Sequence, residues 1–353
     1  MRSVITGTGM YIPEASVDNN ALAKLMDTSD EWIQVRTGIV KRQYAAPDQA
    51  TSDLAVPACA RALDNAGLKP EDIDYVIFAT MTPDYFFPGS APFLQRKLGL
   101  EQVPCLDIRQ QCAGFIYALQ LADALIRSGQ YRRVLVIGAE VHASLVPWSE
   151  HSWSVALGHD HDPVSKEDYA RNTETRDRVV LFGDGAGAVV VEAREDGDRG
   201  VVDCLLHTNG DEAERLWTKA AGSAFRPYIR PEMITSGDVT PIVEGRKVYA
   251  LAVTFMPQVT LEILERNGLT TDDLDLVIFH QANLRINEGV QKRLGLPDEK
   301  VFNNIQDYGN TTAGTIPIAY HEALEQGRVK PGDLVAFVGL GSGLNWGAVL
   351  YRC

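Results

Sequence analysis

An internal repeat constrains the fold of this chain more than any other feature of its sequence. The segment from Ala58 to Pro83 (ACARALDNAGLKPEDIDYVIFATMTP) is matched by the segment from Leu261 to Asn283 (LEILERNGLTTDDLDLVIFHQAN). Each predicts a helix that stops at a glycine, an acidic turn and a short apolar strand. The offset of about 200 residues is far longer than a solenoid repeat, so the pattern predicts a duplicated domain.

Strands and helices alternate within each half, which predicts an α/β protein with mostly parallel sheets covered by helices. We expect two halves, residues 1–195 and 196–353, packed without a linker and with the ligand site between them, beyond the carboxyl ends of strands. Residues from about 146 to 175 have no counterpart in the second half. This insertion is typical of a lid, an interface element or a disordered loop. Its alternating His and Asp residues at 159–162 are only a weak metal signal, and we expect no metal.

Composition excludes several classes of function. The net charge of -14 argues against nucleic-acid binding, which needs a basic surface. The five cysteines are widely spread and form no CxxC pair, which favours free thiols in a reducing compartment. We find no apolar stretch of spanning length and no signal-peptide pattern at the start, so we expect a cytoplasmic protein without a membrane span.

Cys112 is the strongest candidate for a reactive residue. It follows a strand-like stretch (Val103 to Ile108) and precedes an apolar helix that is expected to end near Gly129. The free N–H groups and positive dipole at a helix start favour the thiolate, which is the reactive form. An inert core cysteine would show the same local pattern, so this segment alone leaves both interpretations open.

His280 and Asn310 in the second half give this thiol its partners. His280 ends the run VIFH at the repeat position of Ala79, where α/β proteins place functional groups, although a buried structural histidine would look the same. Asn310 lies in DYGNTTAG, where the repeat register overlays Ala313–Gly314 on Ala113–Gly114. Pseudo-twofold packing of the halves would therefore bring both side chains toward the thiol.

Two glycine-rich runs invite comparison with a dinucleotide site: FGDGAGA from Phe182 and LGSGLNWG from Leu340. Both precede strands instead of following a strand and opening a helix, so the dinucleotide-binding pattern fails and an oxidoreductase is disfavoured. We interpret both runs as tight turns, with Gly343 supplying a backbone N–H near the thiol.

Together these motifs resemble those of β-ketoacyl-acyl-carrier-protein synthase III and related thiolase-fold condensing enzymes. The resemblance covers nearly the whole chain and includes TSDEWIQVRTGI, QQCAGF, FGDGAGA, HQANLRI, YGNTTAG and GSGLNWG. It implies a thiolase-like fold of duplicated α/β halves, with mixed sheets in a layered α-β-α-β-α arrangement. It also implies an acyltransferase that loads an acyl group from acyl-CoA on Cys112. The enzyme would then condense that group with a malonyl thioester, with loss of CO2, in fatty-acid initiation.

The resemblance assigns a role to each matching position. Cys112, His280 and Asn310 are the implied catalytic residues, and the backbone N–H groups of Cys112 and Gly343 form the implied oxyanion hole. The residues implied in CoA and pantetheine binding are Trp32, Arg36, Arg176, Gly245 and Asn283. No cofactor or metal is implied.

Protein partners are implied at two further places. Phe87 matches the residue that closes the acyl pocket of the partner in a homodimer. Arg285, Lys292 and Arg293 share one helical face and form a basic patch suited to an acidic acyl-carrier protein. A solvated charged face is the alternative reading of that patch.

The sequence departs from the pattern of the family in three places, namely the insertion before Arg176, Arg246 in place of a pantetheine-contacting Asn, and Ala250 in place of a basic residue. These departures leave open a specialised member, in secondary metabolism or long-chain acyl condensation, that uses another acyl-CoA or extender. An inactive partner subunit is a further alternative, but such subunits typically lose the cysteine, which is present here.

Overall fold

The computed structural model describes residues 1–195 and 197–353 and contains two five-stranded sheets. The strands of the first sheet are β1 (Arg2–Tyr11), β4 (Tyr75–Ala79), β5 (Cys105–Ile108), β6 (Arg133–Glu140) and β7 (Gly185–Arg194). Those of the second are β8 (Gly200–Thr208), β11 (Leu276–Phe279), β12 (Val301–Phe302), β13 (Leu334–Gly341) and β14 (Asn345–Arg352). Two short antiparallel pairs are β2 (Ala15–Asp18) with β3 (Lys41–Tyr44), and β9 (Leu216–Trp217) with β10 (Ile242–Val243).

The two sheets have the same topology, which confirms the duplication. Their orders are β1-β7-β6-β4-β5 and β8-β14-β13-β11-β12. In each sheet two neighbouring pairs are parallel and two are antiparallel. The local prediction of mostly parallel sheets was wrong, because β14 runs antiparallel to β13 and β7 runs antiparallel to β6. A parallel pair would need a crossover that brings the second strand back in the same direction. The mixed sheets that the resemblance implied are confirmed.

Helices cover the sheets and connect them. Their bounds are α1 (Asn19–Ala23), α2 (Asp30–Thr37), α3 (Thr51–Ala66), α4 (Ala91–Leu98), α5 (Gly114–Arg127), α6 (Glu150–Ala156), α7 (Lys166–Glu174), α8 (Arg176–Val179), α9 (Pro231–Thr235), α10 (Gly245–Arg266), α11 (Leu284–Leu294), α12 (Ile305–Tyr308) and α13 (Thr315–Glu325).

The layers follow from where the apolar faces of the helices are buried. The helices α5 and α13 lie between the sheets, and side chains such as Phe115, Leu119 and Ile316 are buried in one cluster with inward-facing residues of both sheets. The outer face of the first sheet is covered by α3 and α4, and that of the second by α10 and α11. Each such large apolar side chain contributes about 1.5–3 kcal/mol on burial. The five-layer α-β-α-β-α arrangement is confirmed.

The insertion is a packed element rather than a disordered loop. It contains α6 and α7, and its Trp148 is buried in a cluster with Leu25 and Ile33. The rings of Trp148 and Trp153 contact the ring of Tyr44 edge-on, at centroid distances of 6.2 and 5.1 Å. The insertion therefore braces the N-terminal segment and leads directly into α8.

By length and composition α10 is apolar enough to span a membrane, which the sequence analysis did not foresee. Its residues Val253, Met256 and Ile263 are buried against α11 and the second sheet. In this fold α10 is a core helix.

Candidate active site

One pocket between the halves contains residues that the sequence analysis selected from distant segments. It is lined by Cys112 from the first half and by His280, Asn310, Gly245 and Asn283 from the second. The remaining wall is mainly apolar and includes Leu181, Phe182, Leu216, Val243, Val248, Met256 and Leu340. The duplication thus places a thiol, an imidazole and an amide around one enclosed apolar space.

Cys112 lies in a short 3₁₀ turn, Gln111–Ala113, immediately before α5. Burial raises the pKa of its thiol to about 12, and the negative charge of Glu140 raises the pKa further. Hydrogen bonds from its own backbone N–H, the Thr312 hydroxyl and the Ser342 N–H lower the pKa but do not offset burial. The prediction that the helix start favours the thiolate was therefore wrong for the resting protein, because desolvation of the charged form dominates.

The backbone N–H of Ser342, one residue before Gly343, lies close enough to the thiol to lower its pKa. The loop passes so close to the cysteine turn that a Cβ on Gly341 would lie 2.9 Å from the Cys112 nitrogen. A Cβ on Gly343, where φ is +129°, would instead collide with the side chain of Asn345. Gly343 as the second oxyanion-hole donor stays a prediction.

The turn Thr312–Gly314 repeats the backbone of the cysteine turn. Its first residue, Thr312, has φ +50°, and Gln111 has φ +45°. These positions pair Gln111 with Thr312 and Cys112 with Ala313, so the predicted repeat register was wrong by one residue. The two turns touch, since a Cβ on Gly114 would lie 3.3 Å from the Cβ of Ala313. An alanine therefore stands where the second half would hold a nucleophile.

The side chain of Asn310 is held in one orientation. Its backbone N–H donates to the Leu181 carbonyl at 2.8 Å, and its carbonyl accepts from the Gly183 N–H at 3.2 Å. The side-chain Oδ1 accepts from the Thr312 N–H at 2.8 Å. Because an N–H donor must meet the amide oxygen, the NH2 group is left to face the pocket as a donor.

His280 follows β11 directly and is buried. Its backbone N–H donates to the Val338 carbonyl at 2.8 Å, and its ring Nδ1 lies 2.7 Å from the Thr315 hydroxyl. The ring Nε2 has no hydrogen-bond partner within the part of the chain that the structure describes. Burial lowers the pKa of His280 to about 3, so the ring is neutral at pH 7.

Three of the residues that the resemblance implies in CoA binding meet at one surface site. The guanidinium carbons of Arg36 and Arg176 lie 4.4 and 5.0 Å from the ring centroid of Trp32. Arg176 also pairs with Asp27 at 2.9 Å. The Asn283 amide donates to the Arg36 carbonyl at 3.0 Å, which connects this site with the pocket.

The predicted partner-binding residues lie outside the pocket. The side chain of Phe87 is 86% exposed. The guanidinium of Arg285 pairs with Glu288 at 2.9 Å and donates to the carbonyls of Val35 and Gln34. Lys292 is exposed at the far end of α11. The proposed basic patch is therefore weaker than its sequence suggests, because the charge of Arg285 is already engaged.

Three polar residues around the pocket were missed: Thr312, Thr315 and His142. The ring Nε2 of His142 lies 2.7 Å from the Thr312 hydroxyl, and its ring stacks on Phe182 at 4.6 Å. The duplication pointed to Thr312, which is the counterpart of the residue before the nucleophile. Nothing in the local sequence marks His142 or Thr315. Among residues 1–195 and 197–353, no group of three or more His, Cys, Asp or Glu side chains is arranged to hold a metal ion.

Comparison with known proteins adds an independent line of evidence. The family described as 3-oxoacyl-[acyl-carrier-protein (ACP)] synthase III matches residues 106–159 and 164–210, and its C-terminal domain matches residues 264–353. The β-ketoacyl-[acyl-carrier-protein] synthase III of Caldanaerobacter subterraneus is 43% identical over 99% of this chain and 97% of its own. That of Aquifex aeolicus is 41% identical over the full length of both chains.

Solved structures agree with the sequence matches. The crystal structure of 3-oxoacyl-[acyl-carrier-protein] synthase III from Aquifex aeolicus superimposes with a TM-score of 0.83 at 39% identity, covering 99% of this chain and 100% of that one. The corresponding enzyme from Thermus thermophilus gives a TM-score of 0.84 at 36% identity, covering 99% and 98%.

Proposed function

The chain belongs to the 3-oxoacyl-[acyl-carrier-protein] synthase III family, and on that premise we propose that Cys112, His280 and Asn310 carry its two half-reactions. The enzyme is an acyltransferase of the β-ketoacyl synthase III type, which condenses an acyl group with a malonyl thioester in fatty-acid initiation. The single observation that carries the residue assignment is the pocket where this thiol, imidazole and oriented amide converge.

In the first half-reaction Cys112 attacks the thioester carbon of acyl-CoA. A new bond forms between that carbon and the cysteine sulfur, the bond to the CoA sulfur breaks, and the thiol proton leaves with CoA as its free thiol. The tetrahedral oxyanion would be held by the N–H groups of Cys112 and Gly343, since such donors stabilise charge that develops in the transition state.

In the second half-reaction a malonyl thioester loses CO2, and the electron pair of the broken bond forms an enolate. The enolate oxygen accepts hydrogen bonds from the Asn310 NH2 group and from a ring N–H of neutral His280. The enolate carbon attacks the acyl-cysteine carbonyl, and the released Cys112 thiolate takes up one proton. The Asn310 amide and the neutral His280 ring suit this step because each donates a hydrogen bond to the enolate oxygen without carrying a formal charge.

Substrate binding follows the layout of the pocket and its mouth. Trp32, Arg36 and Arg176 would bind the adenine end of CoA, since a guanidinium stacks well on an aromatic face. Gly245 and Asn283 line the route to Cys112 and would contact the pantetheine arm. We propose a short acyl group as the starter; Phe182 lines the same pocket as Cys112, and its ring stacks on that of His142.

A homodimer is proposed on the edge of the first sheet. β5 pairs with β4, and its other edge is free within the described residues. The side chains of Tyr85, Phe86 and Phe87, each more than 60% exposed, project from a loop of the same half. Exposed aromatic side chains and a free strand edge are both features that a second copy would cover. Sedimentation analysis of the purified protein tests this assembly.

The remaining assignments are also proposals. The halves would divide at residues 195 and 196, supported by one complete sheet on each side, although residue 196 lies outside the described part. Acyl-carrier protein would dock near Lys292 and Arg293, with Arg285 contributing less. The two thioesters supply every atom that the reaction needs, so no cofactor is proposed, and we place the enzyme in the cytoplasm.

The test is a condensation assay on the purified protein with acetyl-CoA and malonyl-acyl-carrier protein. We expect equal amounts of CO2 and β-ketoacyl product, and a parallel reaction with malonyl-CoA identifies the carrier of the extender. The absence of β-ketoacyl product with every short acyl-CoA and both malonyl thioesters would contradict the proposal.

A further inference from the structure

We infer that the insertion at residues 146–175 positions Arg176 for the nucleotide end of CoA. Its helix α7 holds a neighbouring segment, residues 25–27, and that segment holds the Arg176 guanidinium. The inference deepens the proposed function, because it rests on the proposed binding of the adenine end of CoA at the site of Trp32, Arg36 and Arg176.

The insertion has a place in the fold but no role in the pattern of the family. It has no counterpart in the second half of the chain, and the two segments that match the family are separated at residues 160–163, inside it. Its two helices are joined to each other, since the Ser149 hydroxyl before α6 donates to the Asp168 carboxylate of α7 at 3.0 Å. The insertion therefore acts on its surroundings as one packed unit.

Two neighbouring side chains of α7 hold the 25–27 segment. Asn172 is fully buried, and its amide donates to the Leu25 carbonyl at 3.3 Å. The Thr173 hydroxyl donates to the Tyr169 carbonyl at 2.7 Å and accepts the Asp27 N–H at 3.0 Å. A hydroxyl has one proton and two lone pairs, so both bonds form at once. The backbone of the segment is thus fixed at both of its ends.

The backbone of Asp27 in turn fixes Arg176. The guanidinium Nη1 donates to the Asp27 carbonyl oxygen and to its carboxylate, the latter at 2.9 Å. The Asp27 side chain is 74% exposed, so this ion pair alone contributes little. The bonds occupy the edge of the guanidinium and leave its face to the ring of Trp32, 5.0 Å away. The place of the Asp27 backbone, which Thr173 holds, therefore decides where Arg176 lies.

The insertion also supports the helix that carries Trp32. Its Trp148 is buried in one cluster with Leu25 and Ile33, and Ile33 follows Trp32 directly in α2. The Trp32 side chain packs against the same cluster. On the other side of the site, α8 with Arg176 begins one residue after α7 ends. Both sides of the nucleotide site therefore rest on the insertion.

Arg36 gives a comparison within the same site. Its guanidinium lies 4.4 Å from the Trp32 ring centroid and donates to the Trp32 carbonyl at 3.2 Å, one turn earlier in α2. Its place is set inside one helix, whereas the place of Arg176 depends on contacts between segments. We expect loss of the α7 contact to displace Arg176 and to leave Arg36 where it is, so nucleotide binding should weaken rather than disappear.

The direct test is calorimetric titration of the free protein with CoA and with 4′-phosphopantetheine, which lacks the adenosine part of CoA. Thr173→Val keeps the shape of the side chain but removes the acceptor of the Asp27 N–H. It should weaken CoA binding about fivefold, as for loss of one hydrogen bond, and leave 4′-phosphopantetheine binding unchanged. Thr173→Ser should restore wild-type binding.

Thr254→Val is the matched control for this titration. The Thr254 hydroxyl makes the same bond within its helix α10, to the Ala250 carbonyl at 2.7 Å. This control should bind both ligands as the wild type does. Equal weakening of both ligands by Thr173→Val, or CoA binding that Thr173→Val leaves unchanged, would overturn the inference. If Thr173→Val does not fold, Thr173→Ala makes the same comparison.

A kinetic test separates positioning from general structural support. In Thr173→Val the KM for acetyl-CoA should rise about fivefold while kcat stays within about twofold, because the lost contact affects substrate binding and not the reacting atoms. The acetyl thioester of 4′-phosphopantetheine should react as in the wild type. A lower kcat with an unchanged KM would show a general structural role and contradict the inference.

The titration also distinguishes this inference from the proposed function. A wild-type protein that never condenses, but binds CoA in a manner that depends on Thr173, would contradict the function and leave the inference standing. A wild-type protein that condenses, but binds CoA no more tightly than 4′-phosphopantetheine, would contradict the nucleotide site and the inference while the condensation activity stands.

Discussion

The cysteine turn (Gln111–Ala113) and its counterpart (Thr312–Gly314) share one backbone, and we propose that they serve different steps of the reaction. Gln110 and Thr311 precede them with φ near -100°, at -102° and -91°. The next residues, Gln111 and Thr312, both adopt a left-handed φ although neither is glycine. Each turn then opens a helix of the middle layer. Only the first turn holds a thiol; the equivalent position of the second is Ala313.

This difference shows how a duplication can divide the work of one reaction. A left-handed φ at a residue with a side chain costs on the order of 1 kcal/mol, so keeping it twice indicates that the backbone shape itself is needed. We propose that the first copy uses that shape to present the Cys112 thiol as the nucleophile. The second uses it to aim the Thr312 N–H at the Asn310 amide oxygen, which leaves the NH2 donor to face the pocket. Nucleophile and donors therefore face each other across the pseudo-twofold axis.

The largest expected effect comes from replacing the amide of Asn310, which the Thr312 N–H orients, with a carboxylate. Asn310→Asp keeps the acceptor for the Thr312 N–H but replaces the NH2 donor with a carboxylate oxygen. We expect condensation to fall about 10²–10³-fold, because one enolate donor is lost and a like charge is added. Acylation of Cys112 should stay within about threefold. Measuring the two half-reactions separately on this variant tests whether the two halves of the molecule act in different steps. An equal loss of rate in both half-reactions would contradict that assignment.

A pair of equivalent glycines tests how tightly the two turns are packed. Gly138 on β6 and Gly339 on β13 occupy matching positions, but a Cβ on Gly138 would lie 2.1 Å from the Ala313 carbonyl oxygen. A Cβ on Gly339 would meet its nearest neighbour at 3.5 Å. We expect Gly138→Ala to destabilise the protein by about 2–3 kcal/mol, and Gly339→Ala by less than about 1 kcal/mol. Urea unfolding of both variants measures the two losses of stability. Equal unfolding midpoints would contradict the tighter packing at Gly138.

The pH dependence of the thiol tests its burial in the resting protein. Because burial raises the pKa of Cys112 to about 12, the thiolate fraction should grow about tenfold for each pH unit between pH 7 and pH 9. Alkylation of the free enzyme by iodoacetamide should follow that slope, with Cys112→Ala as the background. A plateau in the alkylation rate below pH 8 would mean that the helix start lowers the pKa of Cys112 more than burial raises it.

The smallest expected effect concerns the carrier-protein surface. Lys292→Glu should raise KM for malonyl-acyl-carrier protein a few-fold, since an exposed charge at the rim of an interface mainly changes association. The reaction with malonyl-CoA should be unaffected. Lys330→Glu, an exposed lysine outside α11, is the matched control. An equal change in both lysine variants would remove the proposed docking surface.

Much of this arrangement was predictable from the sequence. The duplication and the convergence of Cys112, His280 and Asn310 follow from motif order and spacing, and the five-layer fold follows from the resemblance to the family. The proximity of the Ser342 N–H to the thiol does not follow, because the path of the loop depends on backbone angles that its neighbours impose. The raised pKa of the Cys112 thiol does not follow from its own segment, because residues of the second half help to bury it. The contact between Thr315 and His280 joins residues 35 positions apart, and no local pattern marks it.

The central claim is that Cys112 carries the acyl group while donors of the second half discharge it. The direct measurement is peptide mass spectrometry of the protein after acetyl-CoA, and again after addition of malonyl-acyl-carrier protein. We predict one acetyl group on Cys112, removed by the malonyl thioester in the wild type, retained in Asn310→Asp and absent from Cys112→Ala. An acetyl group on another residue, or one that persists in Cys112→Ala, would contradict the account.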